Sequence, residues 1–173
     1  RHGTNITEIL EPAVAVFASP NMGNSSTIPN EDSIEQEFDE TNLFSSNKFT
    51  GLDRVESSTR ISYGLRWGVH GANGGSSSFF IGQRYRIRKD DSFPDGSGLE
   101  DHFSDIVARV RVRPSSNLAL AYKTRVDKED LSPRRTELNL TAGAPALNLR
   151  TNYVFFDRQE GSEFSGREEL SGQ

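Results

Sequence analysis

A chain of 173 residues with no cysteine and a formal net charge of −5 excludes several classes at once. Disulfides, thiolate metal sites and cysteine nucleophiles are ruled out, and the acidic balance argues against general nucleic-acid binding, which needs a basic footprint on the phosphates. No apolar run approaches the roughly 18 residues of a membrane helix and no signal peptide is present; an apolar content of 33% suits strands with one polar face, in a membrane barrel or in a soluble β protein.

The first strand is expected from Ile6 to Ala18, with Leu10, Val14 and Val16 opposite Ala13, Ala15 and Phe17, although Pro12 lacks an amide hydrogen and weakens it. A loop from Ser19 to Ser58 follows, without a strand or helix period and far longer than the usual loop of a compact domain, which asks for a functional reason. The second strand alternates cleanly: Ile61, Tyr63, Leu65, Trp67 and Val69 against Arg60, Ser62, Gly64, Arg66, Gly68 and His70. It ends at Ala72-Asn73-Gly74-Gly75, a hairpin signature.

The third strand, Ser77 to Arg88, sets Phe79, Ile81, Tyr85 and Ile87 against Arg84, Arg86 and Arg88, and a polar loop runs from Lys89 to His102. The fourth sets Ile106, Ala108, Val110 and Val112 against Arg109, Arg111 and Arg113 and turns at Pro114-Ser115-Ser116-Asn117. The fifth sets Leu118, Leu120, Tyr122 and Val126 against Lys123, Arg125 and Asp127, and Lys128 to Pro133 reads as a charged linker. The sixth sets Leu138, Leu140 and Ala142 against Glu137, Asn139 and Thr141. The seventh, after Gly143-Ala144-Pro145-Ala146, sets Leu147, Leu149, Tyr153 and Phe155 against Asn148, Arg150 and Asn152. A polar strand from Glu163 to Gln173 closes the chain.

The expected fold is therefore all-β: an antiparallel up-and-down meander of about eight strands with no helix between them. Tight turns at Asn73, Ser115 and Ala144 alternate with longer polar connections at 19–58, 89–102, 128–133 and 158–162. In a barrel that puts every short turn on one rim, as in outer-membrane barrels, whose strands also carry girdle aromatics outward. Tyr63, Trp67, Tyr85, Tyr122, Tyr153 and Phe155 all fall on the apolar face. The opposite face carries Arg60, Arg66, Arg84, Arg86, Arg88, Arg109, Arg111, Arg113, Lys123, Arg125 and Arg150. On a soluble sandwich these would be solvated strand residues. In a barrel they would line the water inside the wall, because facing lipid each would cost about 2–4 kcal/mol at the midplane. The expectation is that the long loop folds inward and partly plugs the lumen, with Glu31, Asp32, Glu35, Glu37, Asp39 and Glu40 as partners of the basic wall.

Ile28-Pro29-Asn30 followed by Asp32, then Asn42-Leu43-Phe44, then Gly51-Leu52-Asp53-Arg54, and the strand containing Tyr63-Gly64 resemble the C-terminal outer-membrane barrel domain of the LPS-assembly LptD family, also called organic solvent tolerance proteins. Asp130-Leu131-Ser132-Pro133-Arg134-Arg135 resembles its α-proteobacterial form. The resemblance implies that residues 1–173 are part of a large transmembrane β-barrel in the outer membrane of a Gram-negative bacterium, cut from a longer chain. It implies transport of lipopolysaccharide into the outer leaflet, with no enzyme activity and no cofactor. The implied partners are lipopolysaccharide, a plug lipoprotein of the LptE type and a periplasmic bridge protein of the LptA type, the last through an N-terminal domain outside this segment. The same residues, Ile28, Pro29, Asn30, Asp32, Asn42, Leu43, Phe44, Gly51, Leu52, Asp53 and Arg54, are the expected plug-loop motif.

Other signals are weak. His2, His70 and His102 lack metal-ligand spacing. His102, Ser104 and Asp105 are triad residue types, but sequential neighbours on alternating faces cannot form the relay. Asp95-Gly96-Ser97-Gly98 reads as a flexible loop, and the acceptor patterns at Asn24 and Asn139 are uninformative. A passive porin or small structural barrel would share the alternation and the loop asymmetry. A soluble β-sandwich binding module would bury its outward aromatics against a second sheet.

Overall fold

The computed structural model describes residues 5–18, 34–35, 38–46, 49–50, 59–72, 74–87, 101–144, 147–157 and 167–172. Its strands are β1 (Ile6–Phe17), β2 (Ile34–Glu35), β3 (Phe49–Thr50), β4 (Arg60–Gly71), β5 (Ser76–Arg86), β6 (Ile106–Ser115), β7 (Leu118–Val126), β8 (Pro133–Ala144), β9 (Leu147–Phe156) and β10 (Arg167–Gly172). Eight of them form one sheet in the order β1-β4-β5-β6-β7-β8-β9-β10, antiparallel throughout, while β2 and β3 pair separately. There is no helix among the described residues. The expected all-β antiparallel meander is what forms; the sheet is open, with β1 and β10 as its edges.

The register keeps the two faces apart across the whole sheet. One line of paired positions runs Leu10, Trp67, Phe79, Val110, Tyr122, Leu138, Tyr153, Leu170 on the outer face. The adjacent line runs Glu11, Arg66, Phe80, Arg109, Lys123, Glu137, Val154, Glu169 on the inner face. A period of two in each strand yields this separation only because no slip interrupts the pairing in the middle of the sheet. The outer face is broadly uncovered: Val14 is 69% exposed and Trp67 43%. A soluble sandwich would cover such a surface, and no second sheet lies over it among the described residues. At 12 residues, β4 extends about 40 Å, or about 30 Å when tilted by about 40°, the thickness of a hydrocarbon core.

The long connections leave from one end of the sheet, where Phe17, Arg60 and Arg86 lie side by side, and the hairpins close at the other, where His70 pairs with Ser76 and Ser115 with Leu118. Pro12 sits in β1, an edge strand, where a residue without an amide hydrogen is tolerated. Two boundaries differ from expectation. The sixth strand begins at Pro133, which the expected linker of Lys128 to Pro133 had included. A register shift after Arg125 sets Val126 opposite Pro133 and leaves Asp127 beyond the end of β7. Asn73, Pro145, Ala146 and residues 88–100 and 158–166 lie outside the described residues.

Candidate functional site

The buried core lies on the inner side, where the segment Phe38–Ser46 packs on the polar face of β4 to β7. This segment is shaped by its own polar side chains. Asp39 Oδ1 accepts hydrogen bonds from the Thr41 amide (2.8 Å), the Thr41 hydroxyl (2.6 Å) and the Asn42 amide (3.1 Å). Asn42 Oδ1 accepts from the Asp39 amide at 3.1 Å, and the Ser45 amide donates to Asn42 O at 3.0 Å. Short polar side chains that bond their own backbone two or three residues away make such turns without a period that a sequence scan would detect.

The turn is anchored by Phe38 and Leu43, at 1% and 0% exposure, against Phe80 and Val107 on the inner face. Phe44 meets Phe80 edge to face with ring centroids 6.5 Å apart. Paired glycines make the seat: Gly64 faces Gly82 across β4 and β5. A Cβ on Gly82 would collide with the Leu43 side chain and stand 3.0 Å from both Phe80 Cζ and Tyr63 O. Glycine is required here for close approach of the turn, not for its backbone freedom.

Among the described residues, two inner-face arginines hold this turn by its carbonyls. Arg84, 1% exposed, donates to Leu43 O at 2.7 Å and to Ser62 Oγ at 3.2 Å, and its guanidinium stacks 5.7 Å from the Phe38 ring centroid. Arg60, also 1% exposed, donates to Ser46 O and Ser45 O, and lies 4.7 Å from the Phe17 ring centroid. A guanidinium is suited to this because its fork engages carbonyls while its face rests on an aromatic ring. Of the loop carboxylates expected to neutralise the wall, Glu40 lies between Arg109 and Lys123, 3.4 Å from each. Asp39 is taken up by the turn itself. The Glu35 side chain and residues Glu31, Asp32 and Glu37 lie outside the described residues.

Around this seat, Arg66 pairs with Glu11 at 3.4 Å, and Lys123 also approaches Glu137 at 3.7 Å. Arg125, 6% exposed, reaches Asp105 at 3.6 Å, and Arg86, 1% exposed, receives His102 Nδ1 on its carbonyl at 2.8 Å. Arg111, Arg113 and Arg150 lie exposed on the same face, nearer the hairpins. Of the expected loop motif, Asn42, Leu43 and Phe44 are in this site; Ile28, Pro29, Asn30, Asp32, Gly51, Leu52, Asp53 and Arg54 lie outside the described residues, as does Arg88. His102, Ser104 and Asp105 form no relay: Ser104 Oγ accepts from the Arg84 amide at 2.9 Å and donates to Asp105 O at 2.8 Å.

At the long-connection end, Asp127 Oδ1 accepts from the amides of Glu129 (2.6 Å) and Asp130 (3.3 Å), and its Oδ2 from Arg134 Nε at 3.1 Å. The Arg134 guanidinium, with these amides, lowers the Asp127 carboxyl to about 2. Asp130 Oδ1 accepts from the Ser132 amide at 2.9 Å, and Leu131 takes a φ of 59°. Sequence reasoning missed Phe38, Phe80, Val107, Arg134 and Arg135 as members of this side of the molecule. The readable signal was Phe79-Phe80-Ile81, where an apolar side chain on each face breaks the alternation.

A two-faced antiparallel meander, apolar outside, polar and partly covered by an inserted turn inside, with its long connections at one end, is compatible with the wall of an outer-membrane-type β-barrel. A family model described as LptD, LPS transport system D, matches residues 1–167. The LPS-assembly protein LptD of Cupriavidus pinatubonensis is 31% identical over 118 residues, and that of Cupriavidus necator 28% over 120 residues. In both cases the match covers 64% of this chain, which spans only 14% of the relative's length. The chain belongs to the LptD family.

Proposed function

We propose that the chain forms part of the barrel wall of a protein that delivers lipopolysaccharide to the outer leaflet of a Gram-negative outer membrane. The match to the LPS transport family over residues 1–167 carries this reading, and the exposed apolar outer face and basic inner face support it physically. Acyl chains stay in apolar surroundings while phosphorylated saccharide heads move past fixed cations, so the barrier to be lowered is desolvation of charge. No covalent bond is made or broken. The parent protein receives the lipid from a periplasmic bridge protein of the LptA type and works with a plug lipoprotein of the LptE type. The Phe38–Ser46 turn acts as a fixed partial plug on the long-connection side of the lumen, held by Arg60 and Arg84.

Depletion of the full-length parent in its host, followed by assay of surface lipopolysaccharide, tests this. Loss of surface lipopolysaccharide while other barrels still assemble is expected. Normal surface lipopolysaccharide would return the function to a passive porin or a structural barrel.

A further inference from the structure

The inner face has two halves of opposite character. Toward the long connections its cations are answered from within the chain: Arg109 and Lys123 by Glu40, Arg125 by Asp105, Arg135 by Glu137, Arg60 and Arg84 by turn carbonyls. The space left between the turn and β7–β8 is about 10 Å³, room for about one water at most.

Toward the hairpins this matching stops. Arg111 and Arg113 share the inner face of β6, and neither has a carboxylate partner among the described residues. Their rows are filled by small or polar groups without a carboxylate. Arg111 lies in the line Gly68, Ser78, Arg111, Ala121, Asn139, and Arg113 in the line His70, Ser76, Arg113. The missing side-chain volume at Ser76, Ser78, Ala119 and Ala121 leaves a hollow of about 380 Å³, lined also by His70, Arg111, Arg113 and Asn139. That is within the size range of small-ligand sites.

The chemistry of the lining is specific. Arg111 and Arg113 leave the backbone about 6.6 Å apart on one strand, and each is paired with a serine, Ser78 and Ser76, on the neighbouring strand about 4.8 Å away. One fork matches one carboxylate; two guanidinium groups lining the same hollow, with serines in the adjacent row, supply the donors and charge that match the several oxygens and double charge of a phosphate. Asn139, Thr141 and His70 add side-chain hydrogen-bonding groups of the kind sugar hydroxyls use. We propose that this hollow binds a phosphate group carried on a saccharide, with Arg111, Arg113, Ser76 and Ser78 holding the phosphate and Asn139, Thr141 and His70 the sugar. This rests on the reading that the parent protein passes a phosphorylated glycolipid, and it adds where on the wall the head group is held.

The test uses the full-length protein in detergent and three probes: an acyl-free phosphorylated glucosamine disaccharide, its phosphate-free twin and inorganic phosphate. The phosphorylated disaccharide is expected to bind at least tenfold tighter than either of the others, and Arg111→Gln/Arg113→Gln to remove that advantage. Arg111→Lys/Arg113→Lys keeps the charge but loses the forks, so a several-fold loss is expected from a barrel that still assembles. Equal affinity for the twin, or unchanged affinity in an assembled lysine variant, overturns the proposal. Inorganic phosphate binding as tightly as the disaccharide would show an adventitious ion only. Release of a co-purifying lipoprotein with disaccharide affinity unchanged would make the hollow a protein interface and also overturn it. Loss of surface lipopolysaccharide on depletion stands apart from these outcomes, so the site can fail while the transport reading holds.

Discussion

Replacing Leu43 with alanine probes the docking of the inserted turn most directly. Leu43 is fully buried against Phe80 and the Gly64–Gly82 seat, and the Arg84 guanidinium that grips its carbonyl is equally buried. Truncating a buried leucine costs about 2–5 kcal/mol, and a turn lying on one face of a sheet belongs at the lower end because it can partly collapse. About 2–3 kcal/mol lowers the ratio of docked to undocked turn about 30- to 150-fold. Hydrogen exchange reads this at the amides of Asn42 and Ser45, which are bonded within the turn. Their protection is expected to fall by that factor in Leu43→Ala, while amides in the middle of β5 to β8 keep theirs. Unchanged protection at Asn42 and Ser45 in an assembled barrel would refute the docking argument.

Gly82→Ala is expected to cost about 1–3 kcal/mol of the same docking equilibrium through overpacking. Its effect should shrink when Leu43 is already alanine, because the colliding side chain is gone; additive effects would show that the two do not touch. The Asp127 carboxyl is lowered to about 2, so its contribution to the 127–132 turn is complete above the ordinary carboxylate value of about 4 and is lost as pH falls toward 2. In pepsin digestion, Asp127→Asn should be cut faster than the unsubstituted protein at pH 4–5 and equally fast near pH 2; a constant ratio would contradict the assignment. Leu65→Arg, on the exposed outer face, is expected to destabilise the assembled barrel in lipid vesicles by about 2–4 kcal/mol, measured by denaturant titration. Asn152→Arg, on the inner face, should change it little, and equal losses would mean the faces are misassigned.

The strands could be read from sequence because the period of two in 61–69 and in 108–113 is strict, and hydrophobicity alone then fixes which face is which. The site was legible in its cations but not in what answers them. Charge arithmetic points an arginine toward a carboxylate; among the described residues Arg60 and Arg84 also hold carbonyl oxygens, which every residue carries and no sequence pattern marks. Asp39 and Glu40 are neighbours of one charge and similar size, yet one caps a turn and the other bridges two cations; only the three-dimensional placement of the turn distinguishes them. The early start of β8 was hidden for a related reason. Asp127 and Asp130 close a tight turn through local bonds, and Pro133 reads as the end of a charged linker although the backbone has already rejoined the sheet there.

In a barrel wall, one face of this sheet meets lipid and the other meets water and the inserted turn. Spin labels placed singly at positions 61 to 69 of the full-length protein in vesicles, with accessibility to oxygen and to a water-soluble nickel complex measured at each, test it most directly. The account predicts a period of two, with oxygen favoured at 61, 63, 65, 67 and 69 and nickel favoured, or neither where the turn covers the wall, at 62, 64, 66 and 68. Nickel access at all positions, or oxygen preference on the even ones, would contradict it.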